Sequence, residues 1–69
     1  MKAVSLFTHE SLPHAYIARM DDGSWKWITP LMEVVQDEPD PEGEILDLIV
    51  PAPGEEQLLL SINRNLKSD

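Results

Sequence analysis

The chain has 69 residues, with 13 acids against 5 Lys and Arg, a formal net charge of -8 and no cysteine. That length allows one domain, and the missing cysteines exclude disulfides and cysteine-ligated zinc. The acidic excess argues against a phosphate-binding nucleic-acid surface and against attraction to anionic membranes, both of which rely on Lys and Arg; basic protein partners are left open.

A chain this short buries only roughly 60% of the surface that its unfolded form exposes. Stability therefore needs a tight core or self-association, and a homodimer is expected. Charge returns at Glu10 after a short apolar stretch, which is unlike a secretory leader. No segment approaches the ~20 apolar residues of a membrane helix, so a cytoplasmic protein is expected.

In chain order, Lys2 to Phe7 reads as a strand, and His9 to His14 as a connection broken by Pro13. The clearest signal follows. The strand-like runs 15–20 and 24–29 flank Asp21-Asp22-Gly23, and Asp-Gly between such runs predicts a hairpin. A two-residue type I′ turn at Asp22-Gly23 pairs Met20 with Trp25 and Ala18 with Trp27. It gathers Tyr16, Met20, Trp25 and Trp27 on one face and sets Arg19 opposite Lys26. A three-residue loop shifts the register by one and scatters the aromatics. The apolar pattern favours the first.

Residues 30–35 fit either a short helix, started by Thr29-Pro30, or a strand. Residues 36–44 carry Pro39, Pro41 and Gly43 among acids and read as an exposed loop. Residues 45–50 read as a mostly buried strand, and Pro51 to Gly54 as a turn. Over 55–66, Leu58, Leu59, Ile62 and Leu66 follow helical spacing, with Glu55 and Glu56 early and Arg64 and Lys67 late, as the helix dipole favours. The helix is predicted to pack on Trp27, Ile45, Ile49 or their neighbours. A strand is the rival reading, because Leu58, Leu60 and Ile62 also alternate. The predicted fold is α+β: a small antiparallel β-sheet, made of the hairpin 15–29 and strands near 2–7 and 45–50, with a C-terminal helix near 55–66.

Motifs for chemistry are missing. His9-Glu10-Ser11-Leu12-Pro13-His14 resembles a zinc-protease helix at a glance, but its second histidine comes one residue late and Pro13 breaks the helix. Glu38, Asp40 and Glu42 mimic the start of a calcium loop, yet the twelfth position is Ile49 where a bidentate carboxylate is required. There is no nucleophile elbow and no phosphate-binding glycine loop. The expectation is a protein that is not an enzyme, with no cofactor and no metal.

Charge placement is the most informative feature. Residues 1–32 hold three acids and three bases, whereas residues 33–56 hold nine acids and no base. Asp37, Glu38, Asp40, Glu42 and Glu44 are the candidates for attracting a basic protein surface, and Trp25, Tyr16 and Leu31 are the candidate anchors. If the helix covers the Trp25–Trp27 face, both tryptophans are core; if not, that face is open for docking. The function expected is that of a small acidic modulator or inhibitor that occupies a partner protein's surface. Acidic miniature proteins of phages and mobile elements act this way, a likeness of size and charge only. The alternatives are an accessory subunit of a larger assembly, or a metal or small-ligand binder built on His9, Glu10 and His14.

Overall fold

The computed structural model describes residues 2–66. The elements are β1 (Ala3–His9), β2 (Leu12–Met20), β3 (Trp25–Ile28), α1 (Glu44–Asp47), β4 (Ile49–Pro51) and α2 (Glu55–Leu66). All strand pairs are antiparallel, in the order β3-β2-β1-β4, and α2 packs on one face. The fold is the α+β arrangement that the sequence predicts, with the C-terminal helix at 55–66 rather than a strand. Lys67, placed by the sequence reading near the end of that helix, lies outside the described residues.

Three elements differ from expectation. The connection at 9–14 shrinks to Glu10-Ser11, because His9 pairs with Leu12 and its Nδ1 accepts the Ser11 N–H at 3.1 Å. Pro13 is tolerated inside β2 because the register slips between Thr8 and His9, opposite the start of that strand. The expected strand at 45–50 is divided: 44–47 coil as one helical turn, and only 49–51 pair with β1. The 30–35 segment is neither full helix nor full strand. It turns back, and Val34 bridges Ile28.

The hairpin is present, but its register is the alternative one. Arg19 pairs with Trp25, Ile17 with Trp27 and Tyr16 with Ile28. A type I′ turn needs positive φ at both central residues. Among the described non-glycine residues only Met32 has positive φ, so Asp22 does not supply it. The loop instead has three residues. Gly23 N–H donates to Met20 O at 3.1 Å, and Met20 N–H to Ser24 O at 2.8 Å, with Gly23 at φ 90. Asp22 fixes this loop by accepting the Ser24 N–H at 2.9 Å and hydroxyl at 2.6 Å. Those bonds, the hydroxyl's first, hold its carboxyl below the usual Asp range. The shifted register also removes the Arg19–Lys26 repulsion: Arg19 lies over the Trp25 ring, 5.7 Å from its centroid, and Lys26 pairs with Asp40.

The next turn repeats this geometry. Met32 N–H donates to Thr29 O, and Thr29 N–H to Glu33 O, both at 2.9 Å. Met32 stands where Gly23 stands in the first turn, at φ 63. A left-handed backbone costs a residue with a Cβ roughly 1–2 kcal/mol. Burying a methionine side chain returns about as much or more, and Met32 is 7% exposed in the core.

The core lies between sheet and helix. Ala3, Leu6, Ala18, Met20, Ile28, Met32, Ala52 and Ile62 form it, with Tyr16, Val34, Leu58, Leu59 and Leu66 packed around. The helix uses the predicted side chains, which cluster with Ala3 and Leu6 of β1, Ala18 and Met20 of β2 and Ile28, the neighbour of Trp27, while Trp27, Ile45 and Ile49 themselves lie outside that cluster. Its polar residues bind backbone. Asn63 accepts the Ala3 N–H at 2.8 Å and donates to Ala3 O at 3.1 Å, Glu55 accepts the Leu6 N–H at 3.2 Å, and Asn65 donates to Met32 O at 2.7 Å. β4 covers β1 only along Phe7–His9, so Asn63 and Glu55 satisfy part of the edge that no strand reaches.

Candidate interaction surface

The sheet has a second face. Cross-strand partners share a face, and Phe7, Ile17 and Trp27 are successive partners, none of them in the helix-side core. Yet Ile17 is 0% exposed. Its cross-strand partner Trp27 is bonded to the acidic segment. Val35 is bonded to Trp27 at the outer edge of β3, while β4 lies at the opposite end of the sheet. The chain between them must cross the sheet's width, roughly 14 Å at the usual strand spacing. With α2 on the first face, it crosses the second.

Two contacts show how it is held. Trp27 Nε1 donates to Pro39 O at 2.9 Å, and Lys26 Nζ lies 3.1 and 3.4 Å from the Asp40 carboxylate oxygens. Pro41 is buried. The segment expected as a plain exposed loop is therefore a crossover, bonded to the sheet through the Pro39 carbonyl and with Pro41 buried. Asp37, Glu38, Asp40, Glu42 and Glu44 all remain exposed along it. Lys26–Asp40 is the one ion pair among the described residues, so the other four carry no counter-charge from them. Between Lys26 and Arg64 the sequence has no Lys or Arg.

The three candidate anchors separate. Tyr16 is half-buried and packs against the helix-side core. Trp25 is half-buried on the second face, its ring 5.6 Å from that of Phe7 and lying under Arg19. Leu31 is 78% exposed at the tip of the second turn. The helix does not cover the tryptophan face; the crossover secures Trp27, and Trp25 lies beside Phe7 under Arg19. Sequence reading missed Arg19 and the Pro39 carbonyl as partners of the two tryptophans. Only the hairpin register could have revealed the first.

His9 is 6% exposed and occupied by its bond to Ser11, while His14 is exposed. Among the described residues, no three of His, Asp and Glu gather as metal ligands, and no helix is long and apolar enough to cross a membrane. No family model, curated protein or solved structure matches the chain.

Proposed function

We propose that this protein acts by binding another protein, as a modulator or inhibitor that occupies its partner's surface and performs no chemistry. The observation that carries this reading is the crossover. Its carboxylates are not spread along a free tail; Pro41 and the Trp27–Pro39 bond hold the backbone down while the acids face outward. Charges held in one array steer a basic partner and raise the association rate more than they tighten the complex.

The test is a variant with Asp37→Asn, Glu38→Gln, Asp40→Asn, Glu42→Gln and Glu44→Gln. With the natural partner, isolated by co-purification, surface plasmon resonance should record association slowed about tenfold at low salt and a flattened salt dependence. Dissociation should change little and the fold should persist. Unchanged kinetics and salt response would remove the main support for this function.

Self-association belongs to the same proposal. β4 is an outer strand, and Leu48 just before it and Val50 within it are 40% and 37% exposed. A second copy pairing there buries apolar surface and an open edge. It also brings Glu44 and Asp47 of both copies close, so salt should favour the dimer. Sedimentation velocity should show the dimer fraction rising from low to moderate salt; a monomer at high protein concentration in both would refute it.

A further inference from the structure

We infer that Leu31 is the apolar anchor of the complex, and that it enters an aliphatic pocket of the partner protein whose rim carries Lys or Arg. This rests on the protein-binding function proposed above. The two turns of the chain allow a direct comparison. Asp21-Asp22-Gly23 and Pro30-Leu31-Met32 close their hairpins with the same pair of backbone bonds. At the middle position the first turn places Asp22, whose carboxylate accepts from Ser24 and stays in water. The second places Leu31, 78% exposed, the most open of the large hydrophobic residues described. The turn gains nothing from a leucine there, since its local bonds come from Thr29 and the backbone.

The tip is also held rigidly. Thr29 Oγ1 accepts the N–H groups of both Leu31 and Glu33 at 3.2 Å. Met32, next to Leu31, has its side chain in the core, its backbone in the left-handed region and its carbonyl bonded to Asn65. A strained backbone persists only where its surroundings enforce it, and such places are where function is to be sought. A side chain presented from a fixed turn has little entropy left to lose on docking. Charge sets the pocket's rim. Glu33 is two residues from Leu31, Asp37 and Glu38 follow on the same strip, all three are exposed, and none is in an ion pair among the described residues. A partner ringed with Lys or Arg is complementary to this strip; an anionic lipid surface is repelled.

The full chain carrying photo-leucine at position 31, or at position 60 as a control, is irradiated in its native cells, and the attached protein is identified and purified. Leu60 is 67% exposed on α2. Position 31 should attach to one protein at a peptide that combines aliphatic residues with Lys or Arg. Against that purified protein, Leu31→Asp should speed dissociation about 30-fold, with association within about twofold; Leu31→Ala should give a smaller increase in the same direction. Attachment through position 60 instead, or unchanged dissociation for both variants, overturns the anchor while leaving protein binding in place. No attachment at either position, together with no co-purifying protein, overturns both.

Discussion

Ile62→Asp is expected to abolish folding. Ile62 is 0% exposed, at the centre of the helix face that closes the core on Ala3, Leu6, Ala18 and Met20. The substitution removes an aliphatic side chain, a loss of roughly 2–5 kcal/mol when such a residue is truncated in a core. It also places a carboxylate where no partner stands, which costs several kcal/mol more or forces the group to stay protonated. A core of this size rarely supplies more than about 3–5 kcal/mol in all. Circular dichroism should show loss of cooperative unfolding, and amide resonances should collapse to random-coil dispersion. Leu60→Asp is the control, on the same helix at 67% exposure, and should shift stability by no more than about 0.5 kcal/mol. Equal effects at 60 and 62 would mean that the helix is not seated through its Ile62 face.

Asn63→Asp is expected to be the most damaging of the nearly isosteric substitutions, at about 3 kcal/mol. The Asn63 amide does the work of a missing strand, accepting from Ala3 N–H and donating to Ala3 O. A carboxylate still accepts the N–H but turns a bare oxygen toward the Ala3 carbonyl. The cost has a pH signature. Once protonated, the introduced carboxyl again offers one donor and one acceptor, so its pKa in the folded protein must lie above its unfolded value near 3.9. The stabilising form is then fully populated below the unfolded value and is lost as pH rises through the folded one. Denaturant unfolding from neutral to acid pH should show the gap between variant and parent narrowing. A gap that stays constant or widens in acid would disprove the edge-clamp role. Asn63→Ala, which lacks the titrating group, should show no such narrowing.

Much of the fold was legible from local chemistry. Asp22-Gly23 between two β-rich runs specifies a reversal, and the spacing of Leu58, Leu59, Ile62 and Leu66 specifies a helix with one apolar side. Both lie where predicted. The apolar pattern points to a different hairpin register because it suggests a single apolar face. The sheet is covered on both faces, so aromatic residues on alternate sides satisfy two layers, and the Asp22–Ser24 bonds fix the three-residue loop. Position 32 misleads for a related reason: the left-handed site of a turn calls for glycine, and only the core explains a methionine there.

The candidate site was legible in the same divided way. The nine acids of 33–56 stand out in the sequence, and so does the absence of any base among them. What composition cannot supply is their support. That the acidic segment spans the sheet, seats Pro41 and binds Trp27 follows from the strand order, which separates β3 and β4 to opposite edges and leaves the connecting chain one free face to cross. The turn, the amphipathic helix, the α+β class and the location of the charge follow from local sequence, because each depends on residues near one another along the chain. The register, the partial burial of Tyr16, the role of Asn63 and the exposure of Leu31 come only from the folded chain. Each of those depends on which distant segments meet, and that is set by competition between two sheet faces for a limited supply of apolar cover.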